Sequence, residues 1–520
     1  MISMTVREVA AVVGAVLVPA TAHAVTQDAA EAIVTSVEFD SRKVRPGSLF
    51  VALPGEHVDG HDFAEAAAAA GAVAVLGTRP VSSLPTLVVG EDDVIPGTER
   101  AADRTPAQAA DHAAEPVLRA LSQLAHRVVA QLIDAGLTVV GVTGSAGKTS
   151  TKDLISAVLS RVGTVVAPPE SFNNELGHPY TVLRADEATR YLVLELSARG
   201  IGHIAKLTRI AQPQIGAVLN VGSAHLGEFG SRDAIAQAKG ELVEALPSAA
   251  DGGVAILNAD DERVAGMASR SAAAIVTFGV DHPADVRAVN VTLDPAAHAI
   301  FDLVTPEGSA PVHLAVVGAH HVSNALAAAA VGRAMGLDVA AVADALSNAG
   351  PVSKWRMAVT EISGGIHGGV TLINDAYNAN PESMLAAINA LGLIGAGRTR
   401  WAVLGEMAEL GAGAPAAHYA VGQQSQRAGV QVLAVGARAQ AIFDGANDAF
   451  KATGGLPPIY TESIDSAVDV LSRAVQPTDV VLVKASRAVG LEVAAARLIE
   501  TLPSVLADRS SGGRAARSAE

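Results

Sequence analysis

The sequence predicts an α/β protein of three domains, in which a central, mostly parallel sheet is followed by a C-terminal Rossmann-like domain. Three observations support this prediction. The chain has 520 residues, far more than one ordinary domain contains. Short β-rich runs alternate with helical stretches through the second and third blocks of the sequence, as in doubly wound sheets. A glycine-rich turn follows the first buried strand of the second block and leads directly into a helix.

Composition restricts the class of protein. The sequence is 50% hydrophobic and 17% charged, which is typical of a folded chain with an ample core. The net charge is −16 and aromatic residues make up only 3%, so we expect no nucleic-acid partner. The absence of cysteine excludes disulfides, thiolate nucleophiles and Cys-type zinc sites. No apolar run reaches the roughly 20 residues of a membrane span, so we expect no membrane insertion.

The first block, residues 1–92, is predicted to be an N-terminal α/β domain. The apolar run at 9–17 followed by Ala22-His23-Ala24 is compatible with a secretory signal, but the region before it carries only Arg7 against Glu8, which is a weak positive region. We therefore favour an amphipathic helix over 5–14 and a short strand after it. A second helix is predicted at 63–70, and the other strand-like runs are 36–40, 48–53, 73–76 and 86–89.

Residues 93–115 are predicted to be a flexible insertion or linker, because they contain few large apolar side chains and many Ala, Asp, Pro and Thr residues. The central domain is predicted at 116–350. It opens with a helix over about 116–135 and closes with a helix over 322–335. Its strand-like runs alternate with helices, which predicts a mostly parallel sheet covered on both faces; they are 138–142, 191–196, 215–220 and 253–258.

The C-terminal domain is predicted at 351–507, again as a doubly wound sheet. The tail at 508–520 is rich in Ser, Gly and Arg, which predicts disorder. The predicted strands of this domain are 371–375, 402–404, 430–435 and 479–483.

The strongest motif follows the predicted strand at 138–142 and reads Thr143-Gly144-Ser145-Ala146-Gly147-Lys148-Thr149-Ser150. Glycines allow the backbone to wrap a phosphate, so that N–H groups of the loop and of the helix N-terminus face the anion. Lys148 can reach the terminal phosphates, and the Thr149 hydroxyl can bind Mg²⁺. The strict pattern requires Gly where this chain has Val142. The motif predicts nucleotide binding by a variant P-loop, but does not distinguish a kinase, a motor, a switch and a ligase.

Two polar residues follow other predicted strands of the central domain. Glu195 closes a buried run, at the strand end where parallel sheets place their ligands. It is a candidate Mg²⁺ ligand, the alternative being an exposed charge at a strand end. His225 follows the strand at 215–220. It is either a metal or phosphate contact or a turn histidine without a chemical role.

Lys239 lies on a predicted helix and shares a side of it with Ile235, Ala236 and Leu242. The simplest interpretation of a helical lysine is a solvated face. A lysine removed from water instead has a lowered pKa and a neutral, nucleophilic amine. Such an amine can add CO₂ and become a carbamate, which is an acid-like metal ligand.

Together these motifs resemble the Mur ligase family in order and spacing, over about residues 30–500. Outside the residues named above, the matching segments are Ser171-Phe172-Asn173-Asn174-Glu175-Leu176-Gly177, 220–225, Gly318-Ala319-His320-His321-Val322-Ser323-Asn324, Trp355-Arg356 and Asp375-Ala376-Tyr377-Asn378-Ala379-Asn380-Pro381. The segments Asp40-Ser41-Arg42, Pro46-Gly47-Ser48-Leu49-Phe50 and Asp59-Gly60-His61 resemble the uridine-nucleotide domain of these ligases. Within the family, the 377–381 stretch with Ser383-Met384 resembles the branch that adds D-alanyl-D-alanine. Two positions depart from the family pattern, His321 in place of Asn and Ser197 in place of a frequent Gly.

The resemblance implies an ATP-dependent amide ligase of the cytoplasm that activates a carboxylate as an acyl phosphate. It implies two Mg²⁺ ions, the first held by Thr149 and Glu195 and the second by His225 and a carbamylated Lys239. The implied catalytic residues are Lys148, Lys239, His225 and Glu195. The implied ATP contacts are Gly144, Ser145, Ala146, Gly147, Lys148, Thr149, Ser150, Asn324, Arg356 and Asp375, the last at the ribose. The implied substrate contacts are Ser41, Arg42, Asn173, Asn174, Asn378 and Asn380.

The implied substrates are UDP-N-acetylmuramoyl-tripeptide and D-alanyl-D-alanine, and we expect a monomer. Two alternatives remain open. One is another amide ligase of the same fold, either a sister Mur enzyme or a folylpolyglutamate synthetase, although the segment at 40–42 disfavours the folate enzyme. The other is a P-loop ATPase switch, which leaves Asn173, Lys239 and the 377–381 stretch without a role.

Overall fold

The computed structural model describes residues 1–20, 28–55, 58–90, 106–223, 226–363 and 369–517. Within this part of the chain the strands form four sheets, of two, five, nine and six strands. The predicted α/β class with three sheet-containing regions in sequence is confirmed. No helix of the described ranges has the length and apolar character needed to cross a bilayer.

The N-terminal region contains β1 (Met4–Thr5), α1 (Val6–Val13), β2 (Val16–Val18), α2 (Asp28–Glu31), β3 (Ile33–Val34), β4 (Ser36–Glu38), β5 (Ser48–Val51), α3 (Ala64–Ala69), β6 (Ala74–Gly77) and β7 (Thr86–Val88). Five strands form a sheet in the order β2-β7-β6-β5-β4, antiparallel only at β2–β7. The expected first helix is present. Thr5 and Glu8 form a capping box at its start, and Val6, Val9 and Val13 are buried.

The central region contains α4 (Pro106–Asp134), β8 (Thr138–Thr143), α5 (Lys148–Leu159), β9 (Val165–Val166), α6 (Gly177–Val182), β10 (Tyr191–Glu195), α7 (His203–Ile210), β11 (Ile215–Val218), α8 (Leu226–Phe229), α9 (Arg232–Glu244), β12 (Val254–Asn258), α10 (Glu262–Ala265), β13 (Ala274–Gly279), β14 (Val286–Leu293), β15 (His298–Thr305), β16 (Gly308–Val317), α11 (His321–Ala334) and α12 (Val339–Ser347). The nine strands lie in the order β16-β15-β14-β13-β12-β11-β8-β10-β9. They are parallel from β9 to β14, as predicted.

Helices cover both faces of this sheet, as the alternation of strands and helices predicted. Val139 and Leu192 belong to one apolar cluster with residues of α4, α7 and α9. Val140 and Val193, each the next residue along its strand, belong to a second cluster with α5 and α11. Successive side chains of a strand face opposite sides of the sheet. The apolar runs of β8 and β10 are therefore buried on both faces of the sheet.

Strands β14, β15 and β16 form an antiparallel meander that the sequence analysis did not predict. Buried and exposed residues alternate along much of these strands, because one face packs on the core and the other meets solvent. Half-buried strands of this kind contain no unbroken apolar run, which is the pattern that predicted the other strands of this sheet.

Helix α4 begins at Pro106, ten residues before the predicted start, so the end of the segment predicted as a linker is helical. Ala114 and Val117 are buried against the core. Alanine is the best helix former, so a stretch poor in large side chains still forms a helix when a packed segment follows it. Residues 91–105 lie outside the described part, and the boundaries at 92, 115 and 350 stay predictions.

The C-terminal region contains β17 (Ala358–Ile362), β18 (Val370–Asn374), α13 (Pro381–Ile394), β19 (Arg400–Leu404), α14 (Ala414–Arg427), β20 (Gln431–Val435), α15 (Gln440–Thr453), β21 (Ile459–Thr461), α16 (Ile464–Ala474), β22 (Val480–Lys484) and α17 (Glu492–Arg517). Its sheet has the order β17-β18-β22-β19-β20-β21, antiparallel only at β17–β18. The tail predicted to be disordered from 508 continues α17 as far as Arg517. Extending an existing helix costs little compared with starting one, which composition alone does not reveal.

Candidate active site

The candidate site lies where β8, β10 and β11 end at the same edge of the central sheet. Glu195, the last residue of β10, pairs with Val142 of β8, and Val218 of β11 pairs with Thr143. Neighbouring parallel strands end on the same side, so the P-loop, Glu195 and the segment after β11 converge there. The sequence predicted this meeting point.

The P-loop is held by the segment that follows β11. The Asn220 carboxamide accepts the Ala146 N–H at 2.9 Å and donates to the Ala146 carbonyl at 3.1 Å. The Ser145 N–H donates to the Asn220 carbonyl. The Lys148 ammonium folds back onto the loop and donates to the Gly144 carbonyl at 2.8 Å. Asn220 therefore fixes the loop's shape. Within the described residues Lys148 donates to the Gly144 carbonyl, a partner that a phosphate oxygen can replace.

A hydrogen-bonded network links the P-loop threonine to the end of β10. The Thr149 hydroxyl donates to one Glu195 oxygen at 2.9 Å, and the Ser171 hydroxyl donates to the other at 2.9 Å. The Asn173 amide donates to Ser171 and to Glu195, both at 2.9 Å. Ser197 donates to the Asn173 carbonyl at 3.0 Å and to its side-chain oxygen at 3.1 Å. Hydroxyl and carboxylate oxygens together are the ligands that Mg²⁺ prefers, so this set fits a hard divalent cation.

Arg356 reaches this network from the start of the C-terminal region. Its guanidinium donates to the Thr149 hydroxyl at 2.7 Å and lies 4.3 Å above the Tyr377 ring. Its Nε is buried and has no partner among the described residues. Both neighbours, Trp355 and Met357, have positive φ, 55° and 49°, which is unfavourable for side chains of this size. This strained turn directs an incompletely paired cation into the site.

Lys239 is 4% exposed on α9 and forms no hydrogen bond or ion pair within the described part of the chain. Burial, assisted by the nearby positive charge of Lys148, holds the pKa of Lys239 well below its ordinary value. Burial also lowers the pKa of Lys148. The negative charges of Glu195 and Glu409 raise this pKa, and the positive charge of Arg356 lowers it further. Lys148 and Arg356 thus lie close enough for their positive charges to repel each other, an arrangement that suits a polyanion bound between them.

His225, the other predicted ligand of the second Mg²⁺, lies outside the described residues. On its C-terminal side, the Gly227 N–H donates to the Glu409 carbonyl. On its N-terminal side, the Ser223 hydroxyl donates to both oxygens of Glu382 at 2.8 Å. The segments flanking His225 thus contact the C-terminal region directly.

Asn324, predicted on the adenine side, lies directly against the P-loop. Gly147 has φ of 83°, and a Cβ on it would come within 2.4 Å of the Asn324 side-chain oxygen, so only glycine fits. The Asn324 amide lies 3.3 Å from Nδ1 of His321. Burial lowers the pKa of His320 and holds that of His321 well below its ordinary value. A neutral His321 can accept a hydrogen bond from Asn324 at this nitrogen.

Asp375 is already engaged within the C-terminal region. One of its oxygens accepts the Met357 N–H at 3.1 Å, and the other accepts a 2.5 Å hydrogen bond from the buried ammonium of Lys484. Lys484 also donates to the Asn378 carbonyl at 3.0 Å. Asp375 therefore fixes the strained turn that carries Arg356, and its predicted contact with a ribose stays a prediction.

Three of the predicted substrate-binding amides are engaged locally. Asn174 accepts the Gly177 N–H at 2.9 Å, and Asn378 accepts the N–H of the next residue at 2.9 Å. Asn380 caps α13 by accepting the Ser383 N–H at 2.8 Å. Their oxygens shape the loops, and the NH₂ groups of Asn174 and the exposed Asn378 remain the groups available to a substrate.

Ser41 and Arg42 lie in a short turn that follows β4. The side chain of Arg42 is 87% exposed and pairs with Asp40 at 2.8 Å. Beside this turn, the Phe39 ring packs on Tyr180 and Phe172, with centroid separations of 5.0 and 6.2 Å. Phe172 precedes Asn173 in sequence, so these rings connect the N-terminal region to the Glu195 network.

Sequence reasoning did not assign roles to Ser171, Ser197, Asn220 and Lys484. Ser171 and Asn220 lie in segments that carried the family resemblance, but their bonding depends on strands far apart in sequence. Ser197 was noted only as a departure from the usual glycine. Lys484 ends a buried strand, as Glu195 does, and its charge at the strand end is the signal that could have identified it.

Three models of Mur ligase domains match the chain in succession. The Mur ligase family catalytic domain matches residues 33–129, the Mur ligase middle domain matches 142–332, and the Mur ligase glutamate ligase domain matches 355–487.

Individual proteins are similar over almost the whole chain. The UDP-N-acetylmuramoyl-tripeptide–D-alanyl-D-alanine ligase of Mycobacterium tuberculosis is 48% identical over 519 residues, covering 96% of this chain and 98% of its own. The crystal structure of MurF from Acinetobacter baumannii is 28% identical and has a TM-score of 0.77, covering 96% of this chain and 99% of that one. MurF from Thermotoga maritima in complex with ADP is 27% identical, with a TM-score of 0.71 and coverage of 93% and 100%.

Proposed function

This chain belongs to the Mur ligase family, and we propose that it joins D-alanyl-D-alanine to UDP-N-acetylmuramoyl-tripeptide in peptidoglycan precursor synthesis. The observation that carries this proposal is full-length similarity to ligases of that specificity, together with a P-loop site to which the C-terminal region contributes Arg356. The reaction is ATP-dependent amide-bond formation. Cytoplasmic action is part of the proposal, because ATP and the UDP-linked peptide are both soluble substrates. The proposal also includes a monomeric enzyme.

We propose that the triphosphate of ATP binds in the P-loop. The loop N–H groups and the N-terminus of α5 face the anion, and Lys148 exchanges its bond to the Gly144 carbonyl for the β- and γ-phosphate oxygens. Arg356 approaches from the other side. A polyanion relieves the mutual repulsion of these side chains, which supports the proposal that they hold the triphosphate.

Thr149 and Glu195 are the residues proposed to hold a first Mg²⁺, and Lys239 with His225 a second. Bound there, the ions supply positive charge that lets the substrate carboxylate approach the γ-phosphate. For Lys239 to serve, its neutral amine attacks CO₂, forming an N–C bond and releasing one proton. Its burial without a carboxylate partner supports this step, because it favours the unprotonated amine.

The chemistry proceeds in two displacements. An oxygen of the tripeptide carboxylate attacks the γ-phosphorus. The bond between this phosphorus and the oxygen that bridges the β- and γ-phosphates breaks, and ADP leaves. The amine of D-alanyl-D-alanine then attacks the acyl carbon, loses a proton and expels inorganic phosphate, which keeps the attacking oxygen. Lys148 and Arg356 stabilise the transferring phosphoryl group. We propose that the contact between Arg356 and Thr149 forms as the site closes, which would keep water away from the acyl phosphate.

Substrate selection is assigned to the two outer regions. We propose that the UDP-linked peptide binds between the N-terminal region and Asn173. The contact of Phe39, next to the turn at 40–42, with Phe172 supports this, because it brings the two segments together. The exposed Asn378 lies at the start of the C-terminal region, where the dipeptide is expected to enter. The proposed domains are 1–92, 116–350 and 351–507.

Phosphate release tests the proposal. We expect release only when ATP, UDP-N-acetylmuramoyl-tripeptide and D-alanyl-D-alanine are all present, with one pentapeptide product formed per phosphate. Steady ATP hydrolysis with both other substrates omitted would instead indicate a P-loop ATPase switch. Activity with a single amino acid or with glutamate in place of the dipeptide would indicate a sister ligase or a folylpolyglutamate synthetase.

A further inference from the structure

A second cluster of ligand-type side chains lies away from the P-loop, at one end of the β14–β16 meander. It consists of Asp294, His298 and His313, whose ligand atoms all lie within 4.8 Å of one another. Asp294 and His298 flank the turn between β14 and β15, and His313 lies on β16. None of them has a role in the proposed ligation. We propose that this cluster, the Asp294 triad, binds a divalent metal ion of the zinc type.

The distances within the Asp294 triad are close to those of a tetrahedral site. Oδ2 of Asp294 lies 3.1 Å from Nδ1 of His298 and 3.2 Å from Nε2 of His313. An ion with N and O ligands at about 2.0–2.2 Å separates neighbouring tetrahedral ligand atoms by about 3.4 Å. Two of the three ligand pairs are thus already near this separation. The remaining pair is formed by the ring nitrogens of His298 and His313. Rotation of the His313 side chain, which is 57% exposed, can bring these two atoms to the same separation.

The carboxylate is oriented before any ion binds. Its other oxygen, Oδ1, accepts the N–H groups of Ala296 at 2.9 Å and His298 at 2.8 Å, which directs Oδ2 toward the two imidazoles. Backbone bonds of this kind orient metal-binding carboxylates in known sites. The register of β15 and β16 also shifts between His298 and Ile300, and such bulges re-aim side chains.

Charge and access favour an ion at this position. Among the described residues, no lysine or arginine forms an ion pair with Asp294. Neutral imidazoles are common ligands of zinc, and a three-residue set leaves a fourth position for water. Side-chain exposures of 21% for Asp294 and 28% for His298 leave a path for a hydrated ion.

Cobalt is the probe, because tetrahedral Co²⁺ absorbs strongly in the visible range and replaces Zn²⁺ in such sites. The nucleotide-free, full-length chain is titrated with Co²⁺ in the presence of excess Mg²⁺, which occupies hard oxygen sites. We expect one equivalent of a saturable, tetrahedral-type spectrum that Zn²⁺ removes. His313→Ala should weaken binding by at least about tenfold to a hundredfold, because removal of a group that only orients a ligand already costs that much.

Two further variants distinguish loss of the metal site from loss of the fold. Asp294→Asn retains an oxygen to accept the two turn N–H groups but replaces Oδ2 with an NH₂ group, so it should fold normally and lose the spectrum. His282→Ala is the matched control, since His282 is an exposed histidine 3.2 Å from a single carboxylate, Asp260, and should bind Co²⁺ as the unmodified chain does. The proposal is overturned if the unmodified chain gives no saturable signal. It is equally overturned if His313→Ala and Asp294→Asn, with unchanged melting temperatures, bind as tightly as His282→Ala.

Discussion

The Arg356 guanidinium donates a 2.7 Å hydrogen bond to the Thr149 hydroxyl, although 207 positions separate the two residues. Thr149 belongs to the P-loop helix, and Arg356 belongs to a strained turn that Asp375 and Lys484 hold in place. This bond therefore links the C-terminal region to the phosphate-binding loop. Breaking this bond is the simplest way in which the site can open for substrates. Forming it again is the simplest way in which the site can close for chemistry.

Replacing Arg356 should affect catalysis far more than folding. We expect Arg356→Ala to lower kcat/KM for ATP by about 10²- to 10³-fold, because it removes a charge that faces the transferring phosphoryl group. Arg356→Lys should recover part of this loss. Steady-state kinetics and melting curves measure the two effects. Arg438→Ala, at a side chain that is 79% exposed and pairs with Glu406, is the control. Equal activity of the Arg356 and Arg438 variants would contradict the assignment.

The contact between Ser197 and Asn173 should matter for binding of the UDP-linked peptide. Ser197→Ala removes a hydroxyl that donates to Asn173 at about 3 Å without adding backbone freedom. Loss of one hydrogen bond costs about 1 kcal/mol, so we expect KM for this substrate to rise about fivefold. KM for ATP should stay the same, because the Thr149–Glu195 bond is untouched. A fall in kcat with unchanged KM values would place Ser197 elsewhere in the mechanism.

Much of the site could be read from the sequence because it lies at strand ends. Lys148, Thr149 and Glu195 occupy positions that the βα order of a parallel sheet determines, and the structure brings them together. The bond from Arg356 to Thr149 was not predictable in detail, since it depends on how the C-terminal region is placed. The engagement of Asp375 by Lys484 likewise requires two neighbouring strands, β18 and β22, whose order the sequence does not state.

Two physical causes explain the strands and helix ends that could not be predicted from the sequence. In the β14–β16 meander, buried and exposed residues alternate, and the search was for unbroken apolar runs. Helix α4 starts at Pro106 and α17 extends to Arg517, where the composition resembles that of loops. In both cases the helix is continuous with a packed segment, and cooperativity overrides local composition.

Lys239 should make the stability of the chain depend on pH in a defined direction. Its pKa in the folded chain is well below the value of about 10.4 expected when unfolded. Between these values the unfolded state binds one more proton, so folding becomes more favourable as pH rises toward the unfolded pKa. In CO₂-free buffer, the stability of the unmodified chain relative to Lys239→Met should rise by up to about 1.4 kcal/mol per pH unit from pH 7 to pH 9. A difference independent of pH in denaturant titrations would mean that Lys239 stays protonated in the fold.

Loss of the proposed carbamate should be repairable by a small acid. We expect Lys239→Ala to lose activity by a factor on the order of a hundred or more, because a negative ligand between two cations is removed. Acetate or formate should restore part of the activity by occupying the vacated space. Chloride at the same ionic strength should not. Full activity of Lys239→Ala without any added acid would show that no carbamate is needed.

Transfer of ¹⁸O tests the central claim, that the γ-phosphoryl group moves to the substrate carboxylate at this P-loop. UDP-N-acetylmuramoyl-tripeptide labelled with ¹⁸O in its terminal carboxylate is converted with ATP and D-alanyl-D-alanine, and the released phosphate is analysed by mass spectrometry. We expect one ¹⁸O atom in each phosphate and one fewer in the pentapeptide product, with Lys148→Ala giving neither product nor labelled phosphate. Product formation with unlabelled phosphate would contradict it.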